Sequence, residues 1–338
     1  YEAAAGLFNL GLWRQASESY KEYFAKHPRH PLVAHGHFGL GLCYFNLKEY
    51  ASAAKELGLA AKGEGPSKVE SNLYLGQALL LKTPMDPKTA ENAFRESLQA
   101  LGFERTGIIN RIWDRKSIDA WLDKNTDKKQ KAFAADVFVG LLESSYLQND
   151  WKSVVNKVAA FEGLVAGSPV EQRAWVLSGE AQFNLQDFEA AAKAYEAAAD
   201  LKGRDSGEAL FRLGLVRLNH LKQYAAAAGH FKDFSAQHAS DPKRADATFN
   251  EALCYYHSYY GGEEKHLADA IRLFDRFTAA YKKHDLATVA QFYSGKLQHI
   301  REDWAAAIKR FKPLEDSKNP ALDQLIFLLG DSYHQQRD

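Results

Sequence analysis

A chain of 338 residues ordinarily divides into two or three domains, and 46% hydrophobic with 25% charged residues is a globular composition. Lysine plus arginine and aspartate plus glutamate number 43 each, so the net charge is zero, which argues against a broad basic face for nucleic acid and against a polybasic membrane anchor. Two cysteines exclude a disulfide framework, and no apolar run approaches the roughly 18 residues of a membrane span.

From the N-terminus onward the chain repeats itself. Stretches with a small residue at their middle are Leu40-Gly41-Leu42-Cys43-Tyr44, Ser178-Gly179-Glu180-Ala181, Ala252-Leu253-Cys254-Tyr255 and Leu329-Gly330-Asp331-Ser332. A short polar turn follows, then an aromatic with Ala three residues on: Trp13 with Ala16, Tyr50 with Ala53, Phe188 with Ala191, Tyr224 with Ala227, Trp304 with Ala307. A large apolar residue stands four further on, at Tyr20, Leu57, Tyr195, Phe231 and Phe311. Pro28, Pro66, Pro242 and Pro320 close units. The anchors Trp13, Tyr50, Pro87, Trp151, Phe188, Tyr224, Leu267 and Trp304 are separated by 37, 37, 64, 37, 36, 43 and 37 residues. Self-similarity at one period is the mark of a repeat array.

Each unit predicts two helices. In 171–185 and 188–201 the apolar and small residues recur at helical spacing, and β signals are nearly absent. Gly41, Gly179, Gly214, Gly295 and Gly330 each cost about 1 kcal/mol of helix propensity. Their common phase predicts close helix contact, with the large residue of the second helix inserted against the glycine. The 43-residue interval predicts a longer turn at 258–264, and the 64-residue interval predicts an insertion. The expected organisation is a first run of repeats over 1–97, an irregular helical connector over 98–128, and a second run over 129–338. The connector contains Phe103, Ile108, Ile109, Ile112, Trp113, Ile118, Trp121 and Leu122, too apolar for a linker, with Ser117 as candidate cap of a short helix. The last unit stops where its second helix should begin, so the natural chain is expected to continue past Asp338.

The unit built on Trp175, Ser178, Gly179, Phe183, Phe188, Ala191, Tyr195 and Ala198 resembles the tetratricopeptide repeat, and the likeness extends over most of the chain. It implies an all-α fold, a right-handed α-solenoid of stacked helix–turn–helix units. It further implies a non-catalytic scaffold that binds a protein or peptide along the face lined by the first helix of each pair. The period exceeds the family's usual length of about 34. That and unit ends such as Phe24-Ala25-Lys26-His27-Pro28 are most similar to members from the bacterial periplasm or envelope, the cytoplasm being the alternative. The lysine, asparagine and arginine order by which some members grip a C-terminal carboxylate is not matched: Arg212 and Asn250 are the best approach.

On the free stripe of the first helices stand Phe183, Asn184, Arg212, Asn219, Asn250, Tyr256, His257, Lys296 and His299, the candidate ligand-binding residues, because rings give contact area and amides pair with backbone. Phe211, Phe249 and Phe292 fit either the stripe or the packing between units. Tyr259 and Tyr260 are expected in the longer turn as further contacts. Cys43 and Cys254 occupy the place of Ala181 and read as core. His27, His30, His35 and His37 do not have zinc spacing, no catalytic motif occurs, and no cofactor or metal is expected. Two other readings remain: a structural spacer of an envelope or secretion machine with no groove ligand, and a glycan or peptidoglycan binder. A homo-oligomer is compatible with all three.

Overall fold

The computed structural model describes residues 1–63, 67–103, 114–315 and 322–337. Among them are 18 α-helices and no strand, divided into two compact units, Tyr1–Asp187 and Phe188–Asp338. In the first unit α1 (Glu2–Asn9) pairs with α2 (Trp13–Lys26), α3 (Val33–Asn46) with α4 (Tyr50–Ala60), and α5 (Ser67–Leu81) with α6 (Pro87–Ala100). After α7 (Arg115–Lys124), α8 (Lys128–Leu147) pairs with α9 (Trp151–Val165), and α10 (Glu171–Asn184) follows. The second unit opens on α11 (Phe188–Asp200). It continues with the pairs α12 (Ser206–Asn219) and α13 (Tyr224–Gln237), α14 (Arg244–Tyr260) and α15 (Leu267–Ala280), α16 (Ala287–Ile300) and α17 (Trp304–Phe311), and ends on α18 (Leu322–Gln335). The first and second members of a pair are called A and B helices. All eight anchors read from the sequence are the first residue of a helix, and seven of these helices are the B member of a pair.

The glycine phase has the expected cause. A Cβ on Gly41 would lie 2.7 Å from Leu57, one on Gly214 2.8 Å from Phe231, and one on Gly295 2.6 Å from Phe311. In each case the partner is the large residue of the following B helix, and it is wholly buried. The small residue lets the backbones approach, and the buried ring or leucine recovers more than the lost propensity.

The A-to-B turn also has a shared geometry. Gly11, Lys48, Asn149, Gln186, Lys222 and Glu302 each stand two residues before an anchor with positive φ, between 56° and 75°. In five of these turns the next residue's N–H reaches back five positions to a carbonyl near the end of the A helix, as Glu49 does to Tyr44 and Asp303 to Gln298. This is the Schellman closure. Asp150 and Asp303, next in line, cap the B helix by accepting from Ser153 and Ala306 N–H at 3.2 and 3.1 Å. Only one of the six left-handed positions is glycine. A non-glycine residue there costs about 1–2 kcal/mol, partly cancelled by the entropy glycine loses. Lys48→Gly and Glu302→Gly are therefore each expected to stabilise by about 0.5 kcal/mol, read as a small upward shift of the thermal midpoint, with Asn149→Gly near neutral.

Two expectations need correction. Ser258, Tyr259 and Tyr260 are the last turn of α14, not part of the longer turn. Tyr260 packs on Tyr256 one helical turn back, ring centroids 4.7 Å apart, which favours continuing the helix. The added residues follow it, with Gly262 at φ 100° and a 3-10 turn at Glu264–His266. The short connector helix is capped by Asp114, whose carboxylate accepts from Ser117 N–H at 2.7 Å, and not by Ser117 itself.

Within the connector, α7 packs on α9, while α8 stacks directly on α6. Trp121 stacks on Phe103 at 4.1 Å and donates its indole N–H to the Leu101 carbonyl at 2.9 Å. Both rings are buried and belong to the core that also holds Phe138 and Phe161. Ile108, Ile109, Ile112, Trp113, Pro66, Pro320 and Asp338 lie outside the described residues.

Candidate functional site

The packing of B helices decides which A-helix residues stay available. Phe211 meets Phe231 and Phe234, Phe249 meets Phe274 and Phe277, and Phe292 meets Phe311, so all three are buried between helices. They serve packing. Cys43 and Cys254 are free, wholly buried thiols; burial pushes Cys43 up to about 11 and Cys254 higher still. Neither is a nucleophile at neutral pH.

The nine candidate residues lie on α10, α12, α14 and α16, and the structure brings some of them together. On α10, Phe183 is half-buried, and exposed Asn184 turns its amide back to the Glu180 carbonyl at 2.7 Å. On α12, Arg212 pairs with Glu208 at 2.8 Å, and Lys243 also bonds Glu208. Burial would raise the Glu208 carboxyl, but the bonds from Lys243 and Arg212 hold it below the ordinary carboxylate range. Asn219 is exposed at the end of α12, where its carbonyl accepts from Lys222 Nζ at 2.7 Å. Asn250 is half-buried on α14. His299 of α16 bonds Asp331 at 2.7 Å and meets the edge of Trp304.

Of the remaining three, Tyr256 and Lys296 meet across α14 and α16, while His257 faces α13. Lys296 donates to the Tyr256 hydroxyl at 3.0 Å, and its ammonium lies 5.6 Å from the Tyr256 ring and 5.2 Å from the Tyr260 ring. Tyr293, one turn back on α16, packs on Tyr256 at 4.8 Å. His257 stacks on Tyr224 at 5.3 Å, and burial together with nearby Lys222 lowers its imidazole below the ordinary value. Burial, then the Tyr256 hydrogen bond, pushes the Tyr260 hydroxyl up to about 12, so it stays a neutral donor. Tyr260 nevertheless exposes 49% of its surface. Among the described residues no carboxylate pairs with Lys296, although an ammonium over rings is an attractive arrangement in itself. Tyr293 was not singled out from the sequence. Its signal is the three-residue spacing to Lys296, which places both on one face of α16.

The histidine cluster near the N-terminus is structural in its contacts. The ring nitrogen of His30 meets the Tyr23 hydroxyl at 2.9 Å, and His37 bonds Glu56 at 2.7 Å while stacking on Phe24. Among the described residues no three His, Cys, Asp or Glu side chains are grouped to hold a metal ion, and no helix is long and apolar enough to cross a membrane.

The family model for the tetratricopeptide repeat matches residues 1–69, 158–206 and 178–238. A comparison with curated protein sequences found no match. Among solved structures, the chain is similar to the C-terminal part of a repeat protein of this kind from Cytophaga hutchinsonii, with 15% identity, 97% of this chain and 98% of that one covered, and a TM-score of 0.44. It is also similar to a tetratricopeptide repeat protein from Parabacteroides merdae, with 13% identity, 94% and 99% covered, and a TM-score of 0.39. A signal transduction ATPase with numerous domains and a tetratricopeptide repeat sensor, from Pyrococcus horikoshii, matches at 13% identity over 96% of this chain and 49% of that one, with a TM-score of 0.49. Over residues 1–69 and 158–238 the chain carries tetratricopeptide repeats that the family model recognises directly, and the eight anchors open helices in the same phase throughout.

Proposed function

We propose that the chain is a non-catalytic scaffold that holds a protein segment against the A helices of the Phe188–Asp338 unit. Tetratricopeptide repeats generally serve as protein–protein interaction scaffolds, and the fold is typically non-catalytic. The observation that carries the reading is the group formed by Tyr256, Tyr260, Tyr293 and Lys296. It combines an exposed ring with an ammonium that has no carboxylate partner among the described residues. Tyrosine supplies rigid contact area at low entropy cost, and the ammonium supplies a charge to be matched. The segment that fits has Asp or Glu beside an apolar or aromatic residue.

The test is selection of a phage-displayed random-peptide library on the full chain. The expected result is enrichment of sequences of that kind, lost when the same library is selected on the doubly substituted Tyr260→Ala, Lys296→Met chain. Neither side chain fills the core, so the variant should keep the wild-type circular dichroism. Equal enrichment of the same sequences on both chains would overturn the assignment, and no enrichment on the wild-type chain favours a spacer without a ligand.

A further inference from the structure

The Tyr1–Asp187 unit has a feature that the foregoing reading does not use. A cavity of about 430 Å³ opens between α3, α5 and α8, within the size range of ligand pockets, about 300–1,000 Å³. Its walls are mainly apolar: Phe45 of α3, Leu80 and Leu81 of α5, and Val139 of α8, with Gln77 beside them. Leu81 leaves 51% of its surface uncovered, a large apolar side chain open to solvent. Among these walls stands Asp136. Its carboxylate has no hydrogen bond or ion pair among the described residues. The other acid at the cavity, Glu143, is already matched by Arg173 at 3.0 Å. One carboxylate without a protein partner among the described residues therefore lines the apolar cavity, on a residue that remains exposed to solvent.

We propose that this cavity is a binding pocket for the side chain of a lysine or arginine on a protein partner, with Asp136 as its counter-charge. The match is chemical. Lysine and arginine are the side chains that pair an aliphatic stem with a cationic head, and the cavity pairs apolar walls with an unmatched carboxylate. An anionic ligand would meet the unpaired Asp136 with repulsion, and a purely apolar one would further bury the carboxylate without a partner. Asp136 is exposed as a residue, and partial desolvation at the cavity raises its carboxyl. The pocket lies wholly in the first unit, so it stands or falls independently of Tyr260 and Lys296.

The experiment titrates the isotopically labelled full chain with acetylated, amidated Leu-Lys-Leu and Leu-Arg-Leu peptides, and with Leu-norleucine-Leu as uncharged control, following amide resonances. Saturable shifts are expected at Gln77, Asp136, Val139 and Gly140 with both cationic peptides and not with the control. Asp136→Asn, nearly isosteric and at a solvent-accessible position, should weaken the cationic peptides roughly tenfold. Equal binding of the norleucine peptide, unchanged affinity in Asp136→Asn, or no saturable shift at these residues with any peptide would each overturn the proposal.

Discussion

Replacing Phe94 by Ala is expected to cost the Tyr1–Asp187 unit about 3–5 kcal/mol. The ring is wholly buried. It is held between two glycines of neighbouring A helices: a Cβ on Gly76 would come within 2.5 Å of it and one on Gly140 within 2.4 Å. The first glycine belongs to its own pair, as in the other units. The second belongs to α8, the A helix of the next pair, so one ring joins two repeats across the inserted connector. Truncation removes the apolar burial and leaves a void that α5, α6 and α8 cannot all close. Adding volume from the opposite side should also hurt: Gly76→Ala and Gly140→Ala are each expected to cost about 1–3 kcal/mol by overpacking. Because the glycine and the ring are in contact, Gly140→Ala should cost less in a Phe94→Leu background than alone. Urea midpoints of the four chains, with hydrogen exchange of α5, α6 and α8 as the local readout, check this. Additive losses would mean that the ring and Gly140 do not share the space between the helices.

Glu91→Ala is expected to cost a similar amount, about 3–5 kcal/mol, for an electrostatic reason. The Glu91 carboxylate is only 17% exposed and accepts from Lys157 at 3.1 Å, Gln148 at 2.7 Å and Arg95 at 3.2 Å. Lys157, 11% exposed, also donates to the Ser145 hydroxyl. The group ties α6 to α8 and α9. Removing the carboxylate leaves two guests of like charge, Lys157 and Arg95, in a site too dry to hydrate them. Replacing Glu91 and Lys157 together by Leu and Met should recover part of the loss, since apolar side chains of similar volume tolerate burial. Burial alone would raise the Glu91 carboxyl, but Lys157, Arg95 and Gln148 outweigh it and the net shift is downward. A carboxyl lowered by folding adds stability above its unfolded value, and that stability is lost as pH falls through the lowered folded value. The wild-type chain should therefore lose stability in the acid range below the ordinary glutamate value. Glu91→Gln should show a shallower acid loss, and an identical acid limb in both would contradict the role given to this carboxylate.

What the sequence revealed and what it hid follow from the range of the interactions. Trp13, Tyr50, Phe188, Tyr224 and Trp304 could be placed at the start of helices because each unit repeats one local solution, and repetition makes a short-range pattern visible. The pairing of Gly214 with Phe231 or Gly295 with Phe311 was readable for the same reason. The left-handed positions Lys48, Gln186 and Glu302 were not. Any side chain can occupy them at a cost that the Schellman closure covers, so composition leaves no mark there. Glu91 and Lys157 are 66 residues apart, and no spacing rule joins them. Asp136 did leave a trace, a lone carboxylate in the run Ala134-Ala135-Asp136-Val137-Phe138-Val139, but a cavity forms only once three A helices are in place. Within the candidate site, helical phase puts Tyr256 and Lys296 on facing stripes of α14 and α16, and the structure brings these two into contact. That Lys296 lies against Tyr256 and Tyr260 depends on the offset between successive repeats, which the lengthened turn at Gly261–His266 changes.

The central claim is that a protein segment lies against the A helices of the second unit. Its most direct test is the acetylation of lysines by a soluble reagent, with and without a peptide enriched from the random library, resolved residue by residue by mass spectrometry. Lys296 of the A helix α16 lies against Tyr256 and Tyr260, whereas Lys282 and Lys309 line a separate groove with Asp275 and Arg310. The account expects the peptide to suppress acetylation of Lys296 and to leave Lys282 and Lys309 unchanged. Protection of Lys282 and Lys309 with Lys296 still reactive would contradict it.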